Sequence, residues 1–412
     1  MGEKAYGMGP RGRGFRWDLA ALALAAFAVF AVVAFVTNML GGLAPHGPLP
    51  PGLDFDAYWS AARITLQGHA RAAYDNHVIE AFQRAHTQLS GPGYLAFYYP
   101  PTFLLLCLPL ALMPYLWALL VFVVVQAALL WPLMHRILVR AGGARLGWLP
   151  VLAMPGFLMN AFSGQNGGFS ASCLAGAMLL LEDRPFLGGA CLGALACKPQ
   201  LAAVAPLALL AARRWRALAG AACMALGLAL ASWLVLGADA WAGFLANAPA
   251  ARADIETLQI KWHFAQSLYA AIRLAGGGLA AGYAGQALMA GAAVALLVGI
   301  CWRKRGAGPE MAALAVTVLL VTPFLYDYDL VLLAAPLAWL AGQGVRHGFL
   351  RGEKALLAAV YLLPFGARAA ALGLGVTLSP LLLFALLLCV WRRGVWRRAA
   401  APGGVAALEG QP

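Results

Sequence analysis

The chain has 412 residues, 62% of them hydrophobic and only 11% charged, with a mean hydropathy of +0.76. Soluble domains run at roughly 45–50% apolar and about 25% charged residues, so a water-soluble enzyme of this composition would lack the polar surface to cover its core. The chain reads as a polytopic membrane protein. Its 29 Lys and Arg against 16 Asp and Glu give +13, carried in short clusters between apolar runs. That is the pattern of positive-inside topology against anionic headgroups, and nucleic acid is not an expected partner.

Residues 1–16 form a basic N-terminus (Arg11, Arg13, Arg16) expected on the cytoplasmic side. The apolar run Leu19–Val36 that follows has spanning length and no obvious cleavage site, so it reads as a permanent first helix. Residues 41–99 make a long extracytoplasmic first loop. Within it Tyr58–Leu66 and His77–Leu89 read as short interfacial amphipathic helices, punctuated by Gly52, Gly68, Gly91 and Gly93. A structureless loop of this length is uncommon, which marks it as a folded, functional element.

Further candidate helices are Pro101–Met113, Tyr115–Leu138, Gly147–Ala161, Gly168–Leu181, Phe186–Leu210 and Trp215–Leu236. The second half adds one from near Leu279 to Trp302, then Met311–Leu325, Leu330–Leu340, Ala355–Leu372 and Leu378–Val390. The expectation is an all-α bundle of about twelve transmembrane helices, a single membrane domain over residues 17–398, and a disordered cytoplasmic tail over 399–412. The seven cysteines lie in or beside apolar segments without a CxxC pair, and read as small buried hydrophobes. No metal site and no cofactor is expected.

Arg213/Arg214/Arg216, Arg303/Lys304/Arg305, Arg346/Arg351/Lys354 and Arg392/Arg393/Arg397/Arg398 read as cytoplasmic. Both termini then lie in the cytoplasm, while the Asp54 loop, Gly237–His263 and Tyr326–Asp329 face outward. Arg136, Arg140 and Arg145 break the pattern if every candidate helix crosses. Either one short segment is re-entrant, or these arginines face outward to meet an anionic ligand, with Arg136 among the groups that would hold a donor phosphate.

Gly52-Leu-Asp-Phe-Asp-Ala-Tyr-Trp59 sets two carboxylates and two aromatics at the outer face. Desolvation of a carboxyl beside apolar surface suits a general base, and Tyr58 and Trp59 offer flat faces for sugar rings. The plainer reading is an interfacial turn whose Asp54 or Asp56 caps backbone N–H groups. Phe97-Tyr-Tyr-Pro-Pro-Thr102 opens a helix through its prolines. Ser163-Gly-Gln-Asn-Gly-Gly168 is either a turn or a backbone opening lining a cavity at membrane depth. Lys198-Pro-Gln200 falls within an apolar run, where a lysine marks a functional site or ion pair, or snorkels to the interface. Lys261-Trp-His263 and Asp327-Tyr-Asp329 add charges on the outer side.

In order, Asp54…Tyr58 with Ala61-Ala62…Gly68…Tyr74-Asp75, Tyr99-Pro-Pro101…Pro109-Leu110, Gly164-Gln165-Asn166, Lys198-Pro199, and Gln266-Ser267 with Thr322-Pro323 resemble glycosyltransferase family 87. The resemblance implies a GT-C-type bundle of ten to thirteen helices whose active site opens to the extracytoplasmic side; the Ala-, Gly- and Arg-rich usage points to a bacterial host and so to its inner membrane. It implies transfer of a hexose, often mannose, from a polyprenyl-phosphate sugar to an acceptor hydroxyl on a glycolipid or polysaccharide. Asp54 matches the base, and Lys198, Lys261 and His263 match groups around the donor phosphate. Asp56, Tyr58, Trp59, Tyr99, Gln165, Asn166, Gln200, Trp262, Asp327 and Asp329 are the candidate substrate contacts. Near Thr322 the chain departs from related mannosyltransferases, carrying Tyr326-Asp-Tyr-Asp329 where they often have histidine. A transporter or flippase of a lipid-linked or anionic substrate is the competing class, and a non-catalytic membrane scaffold is another.

Overall fold

The computed structural model describes residues 52–87, 94–257, 264–304 and 306–399, with isolated positions between 26 and 37. The tail beyond Ala399, most of Leu19–Val36, and Lys261, Trp262 and His263 lie outside the described residues. Among the described residues the chain is all-helical without a β-strand; its one isolated bridge pairs Ala265 with Tyr326.

The helices are α1 Leu53–Leu66, α2 Asn76–His86, α3 Pro101–Cys107, α4 Tyr115–Arg140, α5 Leu149–Leu152, α6 Pro155–Ser163, α7 Gly167–Leu180, α8 Pro185–Ala194 and α9 Pro199–Ala202. There follow α10 Ala205–Ala211, α11 Trp215–Glu256, α12 Leu268–Leu274, α13 Leu279–Trp302, α14 Ala307–Val321, α15 Ala334–His347, α16 Glu353–Leu374 and α17 Ser379–Ala399. Among the described residues five stretches are long and apolar enough to cross a bilayer: Tyr115–Arg140, Trp215–Asp254, Leu279–Trp302, Asp327–His347 and Glu353–Leu374. α2 starts where Asp75 accepts from the His77 and Val78 N–H groups at 2.9 and 3.4 Å, a side-chain N-cap.

Several apolar runs that hydropathy reads as single helices are cut. Phe186–Leu210 breaks at Lys198 (φ −136°, ψ 78°), because the ring of Pro199 excludes the α conformation for the residue before it. Trp215–Leu236 instead continues to Glu256, bent at Gly237, whose φ of 78° only glycine adopts readily. Much of the stretch expected as an outer loop after Gly237 is therefore helix. α1 begins five residues before the expected Tyr58, which puts both acids of Asp54-Phe-Asp56 in its first turn.

Pro101–Met113, expected as a helix, returns to α1. The Tyr58 hydroxyl meets that of Tyr99 at 2.9 Å and the Trp59 indole N–H donates to the Met113 carbonyl at 3.0 Å, so both ends of the segment lie against α1. Arg136 and Arg140 sit at the far end of α4 from Tyr115, roughly 30 Å along the axis. There Arg140 donates to the Leu179 carbonyl at 3.1 Å and Gln343 to Ala141 at 3.4 Å. Arg214 bridges Glu182 (2.8 Å) and Glu310 (2.7 Å) at the same end. Arg140 of the odd cluster and Arg214 thus lie at one end of the helices, beside the turn after α7.

Close helix packing fixes the frame. A Cβ on Gly189 of α8 would lie 1.8 Å from the Ala217 carbonyl oxygen, and one on Gly193 would lie 2.2 Å from that of Ala221. This Gly-x-x-x-Gly face lets α8 and α11 touch backbone to backbone, the device that membrane helices use where lipid supplies no hydrophobic drive.

Candidate functional site

Three helical hairpins turn at one place. α6 and α7 meet at Gly164–Asn166, α8 and α9 at Lys198, and α14 reverses through Thr322–Tyr326 into a 3-10 turn over Asp327–Leu333. Five of their six arms are short apolar helices of 10–17 residues, about 15–26 Å long and short of the roughly 30 Å hydrocarbon core. Non-helical backbone at such depth persists only inside protein or beside a cavity.

Each apex has a local cause. α6 ends on Gly164 in the left-handed region (φ 69°); the Gln165 N–H returns to the Asn160 carbonyl at 3.0 Å and that of Gly164 to Ala161 at 3.1 Å, a Schellman closure. A Cβ on Gly164 would stand 2.8 Å from the Gly52 oxygen and from Phe55 Cβ, so glycine also admits the α1 backbone. Behind the turn, the Gln126 side-chain oxygen accepts from Asn160 Nδ2 (3.0 Å) and the Gly168 N–H (2.9 Å). The third apex is pinned by Ser267, whose hydroxyl donates to the Pro323 carbonyl at 2.6 Å, and by the Gln266 N–H on Leu325 at 2.6 Å.

Against these apices α1 sets Asp54. Its Oδ2 accepts from Gln165 Nε2 at 2.9 Å, while the Gln165 oxygen accepts from the hydroxyls of Tyr58 (2.6 Å) and Tyr99 (3.0 Å). Asp54 retains partial solvent access amid dense protein. Desolvation pushes its carboxyl up to about 6, with Asp327 and Asp329 pushing the same way and the Gln165 bond and Lys198 charge opposing.

Lys198 and Asp329 form a buried pair in the same cluster, Nζ to Oδ1 at 2.5 Å, both nearly inaccessible, with the ammonium 5.7 Å from the Tyr328 ring centre. Asp329 Oδ2 accepts from the Tyr326 N–H at 3.2 Å. Asp327 turns the other way and accepts from Arg368 Nε of α16 at 2.8 Å, and Arg368 lies 3.9 Å over the Phe264 ring.

The structure therefore gathers Asp54, Tyr58, Tyr99, Gln165, Lys198, Asp327 and Asp329, with Asn166 buried beside them. Asp56 is two positions from Asp54, about 200° round the helix, and points away; its oxygens accept from Ser60 and Thr87, each at 2.9 Å. Burial pushes this carboxyl also to about 6, against those two bonds. Trp59 is buried beneath Arg63 and bonded to Met113, Gln200 is exposed one step past the Lys198 break, and Arg136 is at the opposite end of α4. Sequence reasoning missed Arg368, Tyr328, Gln126 and Asn160. Arg368 and Gln126 carried a usable signal, since each is a polar side chain inside an apolar run. Among the described residues no group of three His, Cys, Asp or Glu side chains is placed to hold a metal ion.

A polar cluster of this kind, set among short helix arms and holding a carboxylate of raised pKa beside a buried cation, suits group-transfer chemistry. The chain matches the family model of glycosyltransferase family 87 over residues 97–326, more than half its length, and belongs to that family. It is a glycosyltransferase with five candidate membrane-spanning helices among the described residues. No curated protein and no solved structure matches it. The matched region carries Tyr99, Gln165 and Lys198; Asp54 lies before it, and Asp327, Asp329 and Arg368 after it.

Proposed function

We propose that this glycosyltransferase moves a hexose, in the first instance mannose, from a polyprenyl-phosphate donor to an acceptor hydroxyl on a glycolipid or polysaccharide. The reaction is placed at the extracytoplasmic face of a bacterial inner membrane, in a GT-C-type bundle with both termini in the cytoplasm. The clustering of Arg140, Arg214 and Arg346 at the end remote from Asp54 supports that orientation through the positive-inside rule.

The observation that carries the reading is the Asp54 carboxylate, held by Gln165 in a polar cluster that includes the buried Lys198–Asp329 pair. The acceptor oxygen attacks the anomeric carbon as the bond from that carbon to the phosphate oxygen breaks. The hydroxyl proton passes to Asp54 and the bonding electron pair leaves on the phosphate. Lys198 spends one N–H on Asp329 and keeps two for the phosphate oxygens, and Arg368 adds a second cation near the leaving group. Stabilising charge where it develops is the largest lever such a site has. Tyr58 and Tyr99 belong to the same cluster through Gln165.

One displacement inverts the anomeric centre. The test is sugar transfer by purified protein from radiolabelled polyprenyl-phosphate-mannose to a host lipid extract, wild type beside Asp54→Asn. Transfer that vanishes in the folded mutant, with inverted product, supports the reading. Retained configuration sinks the mechanism, and transfer that survives in Asp54→Asn moves the base elsewhere.

A further inference from the structure

Gln165 is where α1, the loop carrying Tyr99 and the α6–α7 turn are joined. Its side-chain oxygen already has three donors: the Tyr58 hydroxyl at 2.6 Å, the Tyr99 hydroxyl at 3.0 Å and, more distantly, the Asn166 N–H at 3.4 Å. That leaves the amide nitrogen to face Asp54, and it does, at 2.9 Å. The flipped amide would set a carbonyl against a carboxylate and leave two phenol protons without that acceptor. In the observed orientation the donor suits an ionised Asp54, since a carboxylate only accepts. No described residue donates to Asp54 Oδ1, the oxygen left over to receive a proton. The backbone under Gln165 is held as well, by the Asn160 carbonyl and, one layer further out, by Gln126.

From this geometry we infer that Gln165 is a positioning residue: clamped by Tyr58 and Tyr99, it fixes the Asp54 carboxylate in its ionised form with Oδ1 turned to the acceptor. This differs from the sugar contact expected of Gln165 from sequence, and its catalytic consequence rests on Asp54 being the base. The other charged and titratable groups acting on Asp54 are Lys198 of the second apex and Asp327 and Asp329 of the third. Tyr58 and Tyr99 flank it, with Tyr115 of α4 and Tyr326 and Tyr328 of the third apex around them. Replacing Gln165 leaves the charges of Lys198, Asp327 and Asp329 in place and takes the amide acceptor from the Tyr58 and Tyr99 hydroxyls. Loss of the Gln165 bond withdraws a stabiliser of the charged form, so the carboxyl titrates at higher pH.

The experiment follows the Asp54 carboxyl directly, as the protonated C=O band in infrared titration of the full-length protein in detergent, identified by its absence in Asp54→Asn. Gln165→Met keeps the bulk and removes the donor. The band's midpoint is expected to rise by about one pH unit, and a Tyr58→Phe/Tyr99→Phe double variant, which frees the Gln165 oxygen, to rise by less. In transfer assays the acid limb of kcat/KM should move with the infrared midpoint, with kcat falling 10- to 100-fold and the acceptor KM changing less than threefold. An unmoved midpoint in Gln165→Met overturns the positioning role, as does a loss expressed wholly in acceptor KM, the signature of a sugar contact. Transfer that persists in Asp54→Asn overturns the base assignment instead, and the infrared midpoint still decides what Gln165 does.

Discussion

Lys198 and Asp329 come from hairpins 131 positions apart and meet at 2.5 Å with almost no solvent access. Two buried charges repay their desolvation only while paired. Removing one partner of such a pair costs roughly 3–5 kcal/mol, whereas replacing both with apolar residues of similar size is often neutral.

Lys198→Met should therefore destabilise the protein by that order and abolish transfer. Lys198→Met/Asp329→Leu should recover most of the thermal stability without recovering transfer, because the cation offered to the phosphate is gone. Thermal unfolding in detergent beside the transfer assay reads both. A double variant that regains activity along with stability would show that Lys198 is structural only.

Asp56 allows a pH prediction with a definite sign. Its folded pKa of about 6 lies above the 3.8 of an exposed carboxyl, so the folded state binds the extra proton. The stability this gives is fully present below pH 3.8 and is lost as pH rises through about 6, to a total on the order of 3 kcal/mol. Asp56→Asn carries no such loss. Its melting temperature relative to wild type should therefore climb between pH 4 and pH 7, and transfer should persist, since Asp56 lies on the face of α1 away from Asp54. A relative melting temperature that stays flat across that range would remove burial as the dominant influence on Asp56.

The α8–α11 contact predicts a steric failure. Gly189→Ala puts a methyl where the nearest atom is the Ala217 carbonyl oxygen at 1.8 Å, a backbone group with nowhere to go. The helices must separate, taking the Lys198 apex at the end of α8 with them. Size-exclusion profiles in detergent should show aggregation or loss of the monodisperse peak. Gly227→Ala on α11, where nothing lies within 4 Å, should match wild type and is the internal control.

Composition alone settles the membrane class, and Asp54, Gln165, Lys198 and Asp329 stand out because polar residues in or beside apolar runs are costly and few. Hydropathy averages, however, cannot register a break that one residue makes. Lys198-Pro199 sits inside an apolar window and looks like a kinked span, and Gly237 hides in a run that continues as helix on both sides. Pro101–Met113 has the composition of a short span, yet only its contacts at Tyr99 and Met113 show that it returns to α1. Starting α1 at Tyr58 also concealed a simple consequence of helical geometry. Once the helix begins at Leu53, Asp54 and Asp56 must face opposite ways. Trp59 reads as an interfacial aromatic, and only tertiary packing turns its indole inward to Met113.

Arg368 was available to the same logic that picked out Lys198, being a lone cation within Ala355–Leu372. Its partner Asp327 is fully buried and takes the Arg368 Nε at 2.8 Å, while Oδ1 of Asp327 has no partner among the described residues. Arg368→Gln leaves that carboxylate uncompensated and should lower stability by several kcal/mol, discounted somewhat because the guanidinium is 31% exposed. Adding Asp327→Asn to the same chain should restore the fold, since two neutral amides then face each other and no unpaired charge remains. Donor affinity then separates the two roles of Arg368. If the guanidinium also meets the lipid phosphate, the stable double variant retains a donor KM raised about tenfold or more, which corresponds to losing at least ~1.4 kcal/mol of charge-assisted binding. A double variant with wild-type donor KM would confine Arg368 to holding Asp327 and leave Lys198 as the phosphate cation among the described residues.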